Sequence, residues 1–395
     1  MGAKHYAPAL AHALSPADSA LLALVNPLQT TGRIAQLEVR PSPLAIQQGL
    51  TDLRLWPRVS FLEERFGPSG LLPAELNDAA RQERFRAAAW NVMLMREQGE
   101  LLSHLADRGV RCFGLKGTSL AQMLHADVAA RDVNDIDLAV PANQLAAAGE
   151  AMEALGFRGV RPLPLLRCEA FLDGATFKTA QANFVRRTES GRLLVELHWR
   201  LYPGEPSKGW PVRTYADAGE TLAPSALFFY LCVQFAARGW TDLHKLCDIG
   251  DVLLRFGVEL DATEFFELAA RSGHRRNVSI TLELLAALFG FTWSAHAPDW
   301  RIREATQELL RRPFLRSPAG SLLDYHRERV RFADRRRDRL NYLQWILRPA
   351  PEDFVLPDGG LRNAPAAYLS RWGRLAGLVA SKRGVGPGTH ARGAE

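Results

Sequence analysis

The segment Asp135-Ile136-Asp137-Leu138 limits the fold of this chain more than any other. Acids and branched apolar residues alternate there with a period of two. A helix would scatter them around its axis, whereas a strand sends alternate side chains to opposite faces. The pattern predicts a strand over 135–140, with Ile136 and Leu138 in a core and both carboxylates on the other face. Two like charges held side by side destabilise each other unless a cation or a proton lies between them. Hard divalent ions suit such a pair, and Mg2+ in particular combines one or two carboxylates with substrate phosphates. Taken alone, the same four residues also describe a solvated strand end.

Around this strand the pattern differs from that of the rest of the chain. The short apolar run 110–115 predicts a strand, Gly117 a turn and 118–124 a helix. Pro141 opens another helix, with Leu145, Ala148, Met152 and Leu155 on its apolar face and Gly156 at its end. Residues 183–187 and 193–199 flank the turn Glu189-Ser190-Gly191 and predict a hairpin, which places Glu196 between Val195 and Leu197.

Elsewhere the signals are helical. Ser15-Pro16-Ala17-Asp18 carries a cap, a first-turn proline and a first-turn acid. Pro and Gly punctuate 41–73 and predict short helices, loosely arranged. Phe85, Ala88, Val92, Met95, Gly99, Leu102 and Ala106 recur at steps of three and four and predict a long helix with that face packed, ending at Gly109. Further helices are expected over 225–238, 241–256 and 261–272, the last opened by the Asp261–Glu264 capping box. The fold class is therefore α+β: a small mixed sheet in a core at 110–203, a helical region at 1–109 and a helical domain at 204–348. An extension at 349–395 follows, ending in a Gly- and Pro-rich flexible tail.

At 395 residues the chain exceeds one ordinary domain, and 47% hydrophobic residues exclude wholesale disorder. The net charge of +6 rests on 43 Arg and only six Lys. Such an excess suits a nucleic-acid binder, but Arg, Ala and Gly are abundant throughout, as in a general compositional bias. The charge is uneven, with +9 on 301–395 and −3 on the remainder. Within the basic stretch 327–348, Val330, Phe332, Leu340, Leu343 and Ile346 suit a helix with one packed and one solvated face. No strong sign of a nucleic-acid partner follows. Cys112, Cys168, Cys232 and Cys247 form no CxxC pair, as expected of free thiols in a reducing compartment. No apolar run approaches a membrane span, since Gln234 interrupts the best one. The Ala-rich opening carries Asp18 rather than a clean apolar core. A cytoplasmic protein without membrane contact is expected.

Strand, Gly turn, helix, Asp-x-Asp strand, helix and acid-bearing hairpin form an ordered set. In this the chain resembles the DNA polymerase β superfamily of nucleotidyltransferases. More narrowly it is similar to the bacterial branch described as uncharacterised nucleotidyltransferases. The residues that carry the resemblance are Leu115-Lys116-Gly117, Arg131, Asp135 to Leu138, and Glu196-Leu197-His198-Trp199. It continues through Leu231-Cys232, Lys245 and Asp248 to a Pro-x-x-x-Asp-Phe stretch at 349–354, and covers roughly 75–355. The sequence departs from the family pattern in five places. Thr118 follows the glycine, Asn134 precedes the first acid, the third acid is Glu, and Gln234 stands where relatives often carry His; the eighteen positions from Gly117 to Asp135 exceed those of many superfamily members and leave a loop at about 125–134.

The resemblance implies an enzyme that moves an NMP group from an NTP, ATP above others, to a hydroxyl-bearing acceptor with release of pyrophosphate. Asp135, Asp137 and Glu196 would be the catalytic and metal-binding residues, holding two Mg2+ ions, with Mn2+ as an alternative. Backbone amides at Gly117, Thr118 and Ser119, with Lys116 and Arg131, would bind the triphosphate. Arg131 has a structural alternative as the partner of Asp127 or Asp132. His198 reads first as a packed histidine beside Trp199, and second as a base or orienting group. Lys245 and Asp248 read as a local ion pair. The acceptor stays open among protein, peptide, small molecule and RNA. Two other readings remain: a nucleotide-binding scaffold without turnover, and a toxin-like transferase acting on tRNA.

Overall fold

The computed structural model describes residues 16–26, 42–67, 72–160, 163–167, 181–189, 191–201, 212–215, 219–291, 293, 296, 299–311, 330–331, 336–349, 351–354, 356 and 362–381. The fold is α+β. Five strands make one small mixed sheet: β1 (Phe113–Gly114), β2 (Ile136–Ala139), β3 (Arg158–Gly159), β4 (Gln181–Thr188) and β5 (Gly191–His198). Their order is β1-β2-β5-β4-β3, with β2 and β5 parallel and every other pair antiparallel. The strand expected over 110–115 is reduced to two residues, although Leu115 N still donates to Asp137 O at 3.0 Å.

The period of two works as expected. Ile136, Leu138, Val195, Leu197 and Phe184 enter one hydrophobic cluster, where the Leu145–Ala154 helix covers them through Leu145, Ala148 and Met152. The other end of the sheet meets a second, larger cluster through Phe113, Leu115 and Ala139. Most of that cluster is helical, and its centre is the Pro224–Ala237 helix, buried on nearly every side as an apolar helix must be. Among the described residues, no helix is long and apolar enough to cross a membrane.

Several expectations need correction. The long helix runs Asn77–Asp107, but its buried face is Ala80, Ala87, Asn91, Leu94, Gln98, Leu101 and Leu105. The apolar stripe chosen from sequence lies largely outside: Phe85 is 78% and Val92 57% exposed. Asn91 and Gln98 explain the error, because a hydrophobicity count rejects the face that carries them. The helices within 41–73, Pro43–Asp52 and Trp56–Phe66, are not loosely arranged, since Trp56 through Leu62 are all buried. Past residue 203 the chain is not purely helical; Val212–Tyr215 and Gly219–Leu222 pair as a hairpin. In the Arg336–Leu347 helix, Leu340 and Leu343 are exposed, so the expected packed face is not formed there. At the end of that helix, Arg371 donates to Ile346 O. Phe332 lies outside the described residues, as do Cys168 and the tail; Cys112, Cys232 and Cys247 are free thiols.

A buried ion pair ties the amino-terminal helices to the Leu243–Phe256 helix. Arg58 grips Asp251 with both terminal nitrogens, at 2.5 and 2.9 Å, and His125 Nε2 lies 3.3 Å from the same carboxylate. Burial alone would push the Asp251 carboxyl up, but Arg58 and His125 outweigh it and bring it down to about 2 from 3.8. A lowered folded-state value gives stability that is complete above 3.8 and lost as pH falls through about 2. The shift corresponds to about 2 kcal/mol. Asp251→Asn should remove this contribution at neutral pH and flatten the acid limb of a stability–pH curve. An unchanged acid limb, measured by urea unfolding, would contradict the linkage.

Candidate active site

The register of the sheet builds the site. In the parallel pair β2–β5, Asp137 lies opposite Glu196, and in β4 Asn183 lies opposite Glu196 in turn. The three polar side chains therefore form a row across the sheet, on the face away from Ile136 and Val195. Asn183 Nδ2 donates to Glu196 Oε1 at 3.5 Å. His198, two residues beyond Glu196, shares its face. Its Nε2 lies 2.9 Å from Asp137 Oδ1 and 3.4 Å from Glu196 Oε2. The preferred sequence reading of a histidine packed beside Trp199 is thus replaced: Trp199 enters the cluster behind the sheet, and His198 faces the acids.

Lys116 approaches from the strand-to-helix turn, with Nζ 2.9 Å from Asp137 Oδ1. Asp137 is 1% exposed and sits between Lys116 and His198. Burial would raise its pKa, but Lys116 and His198 dominate and hold it well below the usual carboxylate range. Asp135 is pushed the other way, first by burial and then by the charge of Asp137. The two acids of one motif are therefore electrostatically distinct, one permanently ionised and one reluctant.

Gly117 makes the turn that brings Lys116 here. Its φ of +64° with ψ −127° is open only to glycine without strain. A Cβ there would meet Asp135 O at 3.2 Å and approach Asp137 Oδ2 at 3.8 Å. The Thr118–His125 helix starts immediately afterwards, so its N-terminal amides open at the turn that lies against Asp135 and Asp137. The hydroxyls of Thr118 and Ser119 are engaged by the long helix instead. Thr118 Oγ1 donates to Gln98 Oε1 at 3.0 Å, and Gln98 Nε2 donates to Ser119 Oγ at 2.7 Å. Gly114 permits this arrangement, since a Cβ on it would lie 2.1 Å from Ser119 Oγ. Gln98→Leu would leave two buried hydroxyls unsatisfied and should cost about 1–3 kcal/mol by urea unfolding. A change within error would show that Gln98 does not hold the turn.

Arg131 is held elsewhere. Its Nε and one terminal nitrogen each bond Asp248 at 2.9 Å, and the other terminal nitrogen lies 3.5 Å from Gly117 O. Neither partner expected from sequence takes it: Asp127 pairs with Arg84 and Asp132 with Arg54. The local Lys245–Asp248 pair is likewise replaced, as Lys245 Nζ lies 4.0 Å from Asp242 Oδ2. Burial first, and then the nearby Lys116, push the Lys245 amine down.

Sequence reasoning missed three contributors, Asn91, Gln98 and Tyr230, and gave a fourth, Asp248, the wrong partner. Asn91 Nδ2 donates to the carbonyls of Val128 and Arg131 at 2.6 and 2.7 Å and so fixes the loop before the acids. Gln98 holds the turn, and Asp248 anchors Arg131 from the helical side. Tyr230, fully buried, has a hydroxyl without a partner that feels the charges of Lys116, Asp137, Glu196 and Asp135. Polar residues at helix positions that should be apolar were the available signal for Asn91 and Gln98.

The donor set suits a divalent cation. One ligand atom each from Asp137, Glu196 and His198 lie within 4.8 Å of one another. Among the described residues, the buried Asp137 Oδ2 has no hydrogen-bond partner, so a cation there would satisfy an unpartnered oxygen.

Fold and site together define an α+β protein whose small sheet gathers acids and cations at one glycine turn. A family model described as uncharacterised nucleotidyltransferase matches residues 51–290, and the chain belongs to that family. The match begins earlier than the resemblance read from sequence and stops before 349–354. No curated protein and no solved structure matches the chain.

Proposed function

We propose that the protein transfers an NMP group from an NTP to a hydroxyl-bearing acceptor, releasing pyrophosphate. The observation that carries this reading is the register Asp137–Glu196, which sets the third acid beside the Asp-x-Asp pair and next to the Gly117 turn. Asp135, Asp137 and Glu196 are the residues that would hold Mg2+. When bound, the metal would supply charge neutralisation on the triphosphate and a lowered pKa for the acceptor hydroxyl.

The chain's own groups divide the remaining work. Lys116, kept charged by Asp137, Asp135 and Glu196 against the cost of burial, offers a point charge to the phosphates. The amides that open the Thr118–His125 helix offer donors to phosphate oxygens. Their hydroxyls and Arg131 are engaged in holding the turn and the helical side, so they act on position rather than on phosphate. In the reaction, the acceptor oxygen bonds to the α-phosphorus while the bond from that phosphorus to the pyrophosphate oxygen breaks. ATP is the expected donor, and the location is expected to be cytoplasmic.

The test compares α-labelled with γ-labelled NTPs in lysate of cells expressing the protein or its Asp137→Asn variant. Alpha label in a product, absent with the variant, supports the reading. Gamma label alone would mean phosphoryl transfer and overturn it. Nuclease and protease sensitivity of the labelled product then separates RNA from protein acceptors.

A further inference from the structure

We propose that His198 is itself a metal ligand, so that Asp137, Glu196 and His198 form a mixed oxygen–nitrogen site selective for Mn2+ over Mg2+. The inference rests on the nucleotidyl-transfer reading and assigns the identity of one of its ions.

Four observations converge on it. The donors are built into adjacent strands: β5 puts Glu196 and His198 on one face, and the parallel register puts Asp137 opposite Glu196. Among the described residues this is the one group of His, Cys and acids close enough to share an ion. The ring presents Nε2 to both acids at once, at 2.9 and 3.4 Å, rather than serving a single carboxylate. And Asp137 retains an oxygen, Oδ2, with no hydrogen-bond partner among the described residues, on a side chain that is 1% exposed.

Donor chemistry then sets the ion. Mg2+ favours an all-oxygen octahedron and keeps several of its waters. An imidazole in the donor set moves preference toward first-row transition ions, while the two carboxylates keep the site compatible with Mn2+. Mn2+ accepts both donor types and also binds phosphate oxygens, which fits the nucleotide the site would take. His198 binds the ion through the lone pair of Nε2, which requires the ring proton on Nδ1.

The test uses full-length protein loaded with Mn2+ and studied by pulsed electron paramagnetic resonance. Nitrogen modulation should appear, and should change frequency when the histidines carry 15N. His198→Gln should abolish it, weaken Mn2+ binding by about 10–100-fold in calorimetry and leave Mg2+ binding unchanged. Should that variant fail to fold, Glu196→Gln takes its place and should remove the nitrogen-coupled ion. An oxygen-only signal in the native protein, or equal losses for both ions, would overturn the assignment and leave His198 as an orienting group for Asp137. Persistence of the nitrogen signal in Glu196→Gln would overturn it as well. The underlying reading fails differently: Mn2+ would be nitrogen-coordinated, but no α-label would be transferred with either ion.

Discussion

Asp135→Asn is expected to melt at a higher temperature than the native protein while losing at least about a thousandfold in NMP transfer. The two effects have one origin. Asp135 is partly buried beside Asp137, and burial and that neighbour raise its pKa; Lys116 opposes them but does not prevail. A carboxyl whose folded-state value is raised destabilises the fold once pH exceeds its unfolded value of about 3.8. At neutral pH the amide removes both the desolvation cost and the repulsion. It also removes a negative charge that the cation and the nucleotide require. Calorimetric melting and α-label transfer check the two halves separately. A lower melting temperature would show that Asp135 is stabilised by a contact other than those around it here. Retained transfer would remove it from the catalytic set. Stability given up at a reactive position is a common feature of enzymes.

The second large effect is predicted for Arg131→Met. The bidentate Arg131–Asp248 pair joins the loop before the acids to the Leu243–Phe256 helix, and both side chains are nearly buried. Burial would raise the Asp248 carboxyl, but Arg131 and then His244 hold it below its ordinary value. Removing the guanidinium leaves a buried carboxylate with only the more distant His244, 3.8 Å away, at a cost of about 3–5 kcal/mol. Arg131→Met with Asp248→Asn should recover much of that loss, because the amide carries no charge to strand. Urea unfolding of the two single variants and the double variant measures the coupling. A phosphate-binding Arg131 would behave otherwise, with near-native stability, a raised KM for NTP and no coupling to Asp248.

The period-two segments were legible because strands and hydrophobic burial leave a direct trace in sequence. Ile136, Leu138, Val195 and Leu197 pack where alternation puts them. The acids' faces followed from the same rule. The register that sets Asp137 against Glu196 did not, since nothing local specifies which residue of one strand meets which residue of another. The long helix shows the opposite failure. Its apolar stripe is genuine, yet burial follows Asn91 and Gln98, whose amides satisfy loop carbonyls and turn hydroxyls that would otherwise be stranded. Long-range polar pairs were equally invisible: Arg131 chose Asp248, 117 residues away, over two nearby acids. In an Arg-rich chain, proximity in sequence is a poor guide to an arginine's partner.

The parallel pairing of β2 with β5 also has a consequence in time. Asp137 and Glu196 are side by side in space but 59 residues apart along the chain. The β4–β5 hairpin closes over a short turn, and β1 meets β2 across a single helix and loop. Parallel strands require a long crossover, and such non-local closures come late because chain entropy must be overcome before contacts reward it. The carboxylate row is therefore expected to be completed late in folding. On the proposed assignment, a ribosome-bound chain that has not yet emerged past residue 198 would have neither Glu196 nor His198 in place and would transfer no NMP. Transfer would then report that the central sheet has closed.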